Sequence, residues 1–230
     1  MFNIIFSNME KIYLLIDDVN IRIWRFTAGI IETNTYIIAG ARNNCFFIDM
    51  AAYFEEEFDS IKAFLKQNGL FPAFILNTHG HFDHISGADR LRNDYSIPLI
   101  ISEEDNEMLT NSELNRSLML SLDIKTRKAD INIMNEKVIY AGDFDIEVIK
   151  TPGHTKGSLS FLVNGRFLFS GDTLFKGAIG RCFSLNDLTM EKKSIKEKLL
   201  VLNENTIVFP GHGDVTTIGE EKEYNKYLKL

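Results

Sequence analysis

The sequence predicts an α/β chain with two β-sheets packed together and helices on the outside. Three observations predict it. Runs rich in β-branched and aromatic residues come in two batches. Each batch is followed by apolar residues at helical spacing. Each of the 5 histidines stands just after such a run, in a tight turn-like stretch where folds present functional loops.

The elements follow in order. "IRIWRF" (Ile21 to Phe26), "TYIIA" (Thr35 to Ala39) and "CFFID" (Cys45 to Asp49) read as strands. Phe54, Phe58, Ile61 and Leu65 then recur at helical spacing, and Gly69 ends that helix. "AFILNT" (Ala73 to Thr78) and "IPLII" (Ile97 to Ile101) are buried strands, and the stretch between them begins with a helix. Ser102 to Leu122 reads as helical. "KVIYA" (Lys137 to Ala141) and "FDIEVIKT" (Phe144 to Thr151) open the second batch. "LSFLVNGRFLFSGD" is a hairpin, with two alternating runs around Asn164-Gly165. Ile195, Leu199 and Leu202 mark a late helix, and "TIVFP" (Thr206 to Pro210) is the last expected strand.

Bulk properties narrow the function. A chain of 230 residues, 45% hydrophobic with 18 phenylalanines, can build a full core. A net charge of −7 and a pI near 5.3 argue against a phosphate-backbone binder, so no nucleic-acid partner is expected. Lys192, Lys193, Lys196 and Lys198 read as a solvated helix face. Two cysteines, Cys45 and Cys182, make no disulfide framework. No run approaches the ~18 apolar residues of a membrane span, and the start lacks a basic region and a small-residue cleavage site. The expectation is a cytoplasmic protein without a membrane partner. Residues 1–230 read as one domain, with 1–20 as a possible N-terminal extension and Met9 as a second candidate initiator.

The chemistry concentrates in "NTHGHFDHISGADRL". Three histidines and an aspartate fall between His79 and His84. His79 and His81 are two apart, so in an extended loop their imidazoles point the same way. Asp83 and His84 follow at the turn into a helix and point elsewhere. His154 stands in "TPGHTKGS", Asp172 in "SGDTLF" and His212 in "FPGHGD", each after a strand. Imidazole and carboxylate donors suit zinc, iron or manganese. Seven ligands exceed one tetrahedral ion and suit two ions sharing a carboxylate. Gly80, Gly153, Gly171, Gly211 and Gly213 flank these ligands.

"THGHFDH", "TPGHTKGS", "SGDTLF" and "FPGHGD" resemble the ligand motifs of the metallo-β-lactamase-fold hydrolases, over almost the whole chain from about Ile21. The resemblance implies an αββα four-layer sandwich with two divalent metal ions, zinc first among the candidates, on one edge. It implies that His79, His81 and His154 bind the first metal, that Asp83, His84 and His212 bind the second, and that Asp172 bridges. Within the superfamily, "GDTLFKGAIGR" and "PGHGDVTTIGEEKEYN" look like glyoxalase II (hydroxyacylglutathione hydrolase), most like its short single-domain relatives. The chain given runs 18 residues past His212, so the helical glutathione-holding domain of the long form is not expected.

The expected activity is hydrolysis of a small-molecule thioester, with Asp83 also accepting a hydrogen bond from the nucleophile. Arg181 and Phe183 stand where glyoxalase II carries a lysine and a tyrosine that hold glutathione. The charge is kept and the phenol is lost, so both are candidate substrate residues. Rival readings are a persulfide dioxygenase with one iron on His79, His154 and Asp172, and a lactonase or other ester hydrolase.

Overall fold

The structure is a computed structural model that describes residues 12–142 and 144–229. It divides into two compact units.

One sheet has seven strands in sequence order, the first five of them in the first unit. These are β1 (Ile12–Asp18), β2 (Ile21–Ala28), β3 (Thr33–Ala39), β4 (Asn44–Ile48), β5 (Phe71–Leu76), β6 (Leu99–Ser102) and β7 (Ile131–Ile133). β1 to β4 run antiparallel, while β4, β5 and β6 are parallel. Every residue of β3 is buried, its polar start Thr33, Asn34 and Thr35 as well as its apolar half Tyr36 to Ala39. Helix α1 (Glu55–Asn68) makes the crossover that a parallel β4–β5 pair requires. Its first turn holds Glu55, Glu56 and Glu57, favourable at the positive end of the helix dipole. Glu57 also accepts hydrogen bonds from the backbone nitrogens of Gly29, Tyr53 and Phe54. Phe58, Ile61, Phe64 and Leu65 form the buried stripe, and Phe64 meets Trp24 edge-on at 5.4 Å. Gly69, left-handed at φ 61°, ends the helix as expected.

Part of the N-terminal extension is thus a sheet strand, β1; residues 1–11 lie outside the described residues. The stretch expected to be helical from Ser102 to Leu122 holds two 3₁₀ segments, Glu103–Thr110 and Ser117–Leu120. Local side-chain bonds compete with an α-helix there: Asn111 Oδ1 accepts from the nitrogens of Glu113 and Leu114, and Asn115 Oδ1 from that of Ser117.

The second unit carries a six-stranded sheet. Its strands are β8 (Val138–Ala141), β9 (Phe144–Lys150), β10 (Leu159–Val163), β11 (Phe167–Gly171), β14 (Ile207–Pro210) and β15 (Thr216–Thr217), with a small hairpin of β12 (Leu174–Phe175) and β13 (Ala178–Ile179). The β10–β11 turn has positive φ at both Asn164 (50°) and Gly165 (64°), the geometry that matches strand twist. β11 and β14 are parallel, and Phe169 stacks on Phe209 at 4.9 Å. Helix α4 (Leu185–Ser194) passes into a π-helical turn, Ile195–Leu199. Ile195, Leu199 and Ile218 join Leu162, Leu168 and Val208 in one apolar cluster. β15 and helix α5 (Ile218–Tyr224) lie beyond the last strand expected from sequence.

Parallel pairs bring strand ends level. Ile48 pairs with Leu76 in the first sheet, and Asp49 follows directly. Gly171 pairs with Pro210 in the second, which sets Asp172 and His212 on neighbouring turns. The nitrogen of Gly211 donates to the carbonyl of Gly171 at 2.8 Å.

Candidate metal centre

The histidine-rich segment leaves β5 as an extended loop through Thr78 to His81, then enters α2 (Phe82–Ile85), which α3 (Ala88–Tyr95) follows. Its four candidate ligand side chains are all buried: His79 at 1%, His81 at 7%, Asp83 at 5% and His84 at 0% exposure. Asp83 and His84 sit in this short helix, in line with their expected place at the turn into a helix. α2 is pinned by its backbone. Phe82 N donates to Asn115 O at 3.0 Å, and His84 O accepts from Met50 N and from Asn77 Nδ2.

The imidazoles are held by one nitrogen each. His84 Nδ1 lies 2.7 Å from Asp49 Oδ2, and His154 Nδ1 lies 2.9 Å from Arg181 O. A carbonyl only accepts, so Nδ1 of His154 carries the proton and Nε2 carries the lone pair. The Asp49 carboxylate imposes the same tautomer on His84, a partnership typical of metal-binding histidine. His79 Nδ1 is 3.0 Å from Thr78 Oγ1. Asp83 Oδ2 accepts from the buried hydroxyl of Thr33 at 2.6 Å.

The Nε2 atoms face carboxylate oxygens. His84 Nε2 is 3.2 Å from Asp83 Oδ2. One oxygen, Asp172 Oδ2, lies 3.6 Å from His154 Nε2 and 3.5 Å from His212 Nε2. A lone pair facing a carboxylate is repulsive unless a cation lies between. Two ligands of a tetrahedral ion with bonds near 2.0–2.1 Å stand roughly 3.3 Å apart, which is close to all three separations. Three groups of described residues have the donor types to hold a metal ion: His79, His81 and His154; His79, His84 and Asp172; and Asp83, His84 and His212. The donor set and its orientation therefore fit divalent ions. All seven ligand residues anticipated from the motifs fall in these three groups.

Further carboxylates hold the ligand loops. Glu191, fully buried on α4, accepts from His154 N at 2.8 Å. Burial pushes its pKa up to about 8 against that hydrogen bond, with the charge of Asp172 adding to the rise. Asp105, 1% exposed, accepts from Gly80 N, Thr155 Oγ1 and Gly157 N. Burial raises its pKa above the usual carboxylate range and the three donors oppose that rise. Gly171 turns at φ 50°, and a Cβ there would meet Thr78 Oγ1 at 2.5 Å, so only glycine lets these two ligand loops approach.

Arg181 and Phe183 are exposed, with the guanidinium carbon 5.7 Å from the ring centroid. Arg181 thus has two separate parts: a main-chain carbonyl that orients His154 and a side chain that reaches solvent. Cys182 between them is half-buried; burial, with Glu191 and Asp187 nearby, pushes its thiol up to about 12. Its surroundings favour the thiol over the thiolate.

Sequence reasoning did not assign roles to Thr33, Asp49, Asp105 or Glu191. For Asp49 a signal existed: a carboxylate directly after the apolar run "CFFI". The other three sit among ordinary polar residues, with nothing local to mark them.

The metallo-beta-lactamase superfamily model matches residues 33–212, and the chain belongs to that superfamily. Its fold is α/β, with two mixed β-sheets flanked by helices, and it implies divalent metal ions for which this chain carries the His/Asp cluster. The chain is 36% identical over 208 residues to "Probable metallo-hydrolase YqgX" of Bacillus subtilis (strain 168), covering 89% of this chain and 96% of that protein. It is 35% identical over 159 residues to "Hydroxyacylglutathione hydrolase GloC" of Haemophilus influenzae, covering 67% of this chain and 74% of that one. The crystal structure of BLEG-1 B3 metallo-beta-lactamase superposes with a TM-score of 0.85 at 35% identity, covering 90% of this chain and all of that one. TTHA1623 in a di-iron-bound form gives 0.76 at 29% identity, covering 89% and 99%. The protein is a metallo-hydrolase of this superfamily. Among the described residues no helix is long and apolar enough to cross a membrane.

Proposed function

We propose that the chain hydrolyses thioesters with two divalent ions, zinc being the first candidate. His79, His81 and His154 would hold one ion, Asp83, His84 and His212 the other, and Asp172 both. The observation that carries the two-ion reading is Asp172 Oδ2, which faces His154 Nε2 and His212 Nε2 at 3.6 and 3.5 Å. Identity to the GloC hydrolase over 159 residues supports the thioester. When bound, such a pair supplies Lewis acidity and a hydroxide available near neutral pH.

The chain's own residues do the rest. Asp83, fixed by Thr33, accepts a hydrogen bond from the attacking water. Asp49 and the Arg181 carbonyl keep His84 and His154 in the Nδ1–H tautomer. The Arg181 guanidinium meets an anionic group on the thiol carrier, and Phe183 offers an apolar wall beside it. A thiolate leaves readily, so no strong general acid is needed, and the five histidines are committed to the ions. The setting proposed is the cytoplasm.

The test is turnover of a thioester panel by metal-loaded protein, set beside matched lactones and β-lactams. Thioesters should be the best substrates, without oxygen uptake. A second reading, β-lactam opening, draws on the likeness to BLEG-1, and faster turnover of a β-lactam than of any thioester would replace the first. Oxygen uptake with a persulfide, in protein holding one iron, would replace both.

A further inference from the structure

We infer that Asp105 is a positioning residue for one ion site alone, that of His79, His81 and His154. The inference rests on the two-ion reading above. Asp105 lies in the 3₁₀ segment Glu103–Thr110, far in sequence from every ligand. Its carboxylate makes three hydrogen bonds. Oδ2 accepts from Gly80 N at 3.1 Å and from Thr155 Oγ1 at 2.7 Å, and Oδ1 accepts from Gly157 N at 2.9 Å. Gly80 is bonded to His79 on one side and His81 on the other, and Thr155 follows His154. Two of its three donors therefore adjoin ligands of that one site. None adjoins Asp83, His84 or His212.

The contact is built to be close. A Cβ at Gly157 would stand 2.6 Å from Asp105 Oδ1 and 2.1 Å from Ser102 Oγ, so the loop after His154 must carry glycine to reach the carboxylate. No lysine or arginine pairs with Asp105 among the described residues, so a buried anion is satisfied by donors from the ligand loops alone. A carboxylate is the one side chain of this size that accepts on both oxygens. An amide of the same shape turns a donor toward either Gly157 N or the Gly80–Thr155 pair. It also removes a negative charge that favours a cation nearby.

The experiment is cadmium NMR of the loaded full chain, which gives one resonance per ion, with chelator competition followed on each. In Asp105→Asn the affinity of the three-histidine site should fall about 10- to 100-fold, as for other outer-shell partners, while the other stays within about two-fold. Thr155→Val should weaken the same site to a smaller degree, and Thr155→Ser, which keeps the hydroxyl, should restore it. The Thr155 pair carries the test if Asp105→Asn does not fold. Equal losses at both sites, or unchanged affinities at the three-histidine site, overturn the inference and leave the two-ion reading intact. A wild-type chain that takes up no cadmium overturns the two-ion reading itself.

Discussion

The hydroxyl of Thr33 donates to Asp83 Oδ2 across 2.6 Å, joining the first residue of β3 to the metal-loop helix 50 residues later. Both groups are buried, so the bond is made without competition from water. A hydrogen bond to a charged acceptor is worth about 1.5–3 kcal/mol. Thr33→Val keeps the shape and removes the donor. Turnover should drop roughly ten-fold with little change in KM, because the bond orients Asp83 rather than the substrate. A steady-state comparison of the two proteins checks this, and a pure KM effect would count against it.

Metal content is the second test. Purified protein should hold close to two ions per chain, and chelation should abolish activity that returns on adding metal. His84→Ala or His212→Ala should lose mainly one ion. Asp172→Ala should weaken both sites, since its Oδ2 faces a histidine of each. Elemental analysis reads the outcome; tight retention of two ions without Asp172 would show that it does not bridge.

Arg181→Ala should raise KM for anionic thioesters roughly ten-fold or more and leave neutral ones nearly unchanged. Metal content should stay intact, because residue 181 meets His154 through its main-chain carbonyl, which the substitution keeps. Equal losses on charged and neutral substrates would remove Arg181 from substrate recognition.

The cysteines should be slow to alkylate. Burial pushes Cys45 up to about 12, against the pull of Arg22, and Cys182 reaches about 12 as well. Both therefore remain thiols at pH 8, where an exposed cysteine near 8.5 is already partly thiolate. Rates should climb as pH approaches 12 or when denaturant exposes the chain. Rapid labelling of Cys182 at pH 8 in native protein would show that its surroundings are more open or more cationic than described.

Much of this was legible in the sequence because it is local. Ile21–Ala28, Phe144–Lys150 and the Asn164-Gly165 hairpin announce themselves by alternation and turn chemistry. The His/Asp cluster was legible because metal chemistry restricts residue type and spacing within short loops. What escaped was long-range. Nothing near Asp105 in sequence says that its partners are Gly80 and Gly157, and nothing near Glu191 says that it takes the nitrogen of His154. The 3₁₀ character of Glu103–Thr110 escaped too, since apolar spacing does not separate it from an α-helix. The two-residue β15 was too short to leave a pattern.

The carbonyl of Arg181 has a consequence for how this enzyme can change. The atom that fixes the tautomer of His154 belongs to the backbone, so any residue at 181 supplies it. Drift at this position, or a laboratory library, can exchange the outward-facing group for an acid, an amide or a hydrocarbon without disordering the histidine beneath. If Arg181 meets substrate as proposed, preference can then diversify among descendants that share one unaltered histidine cluster.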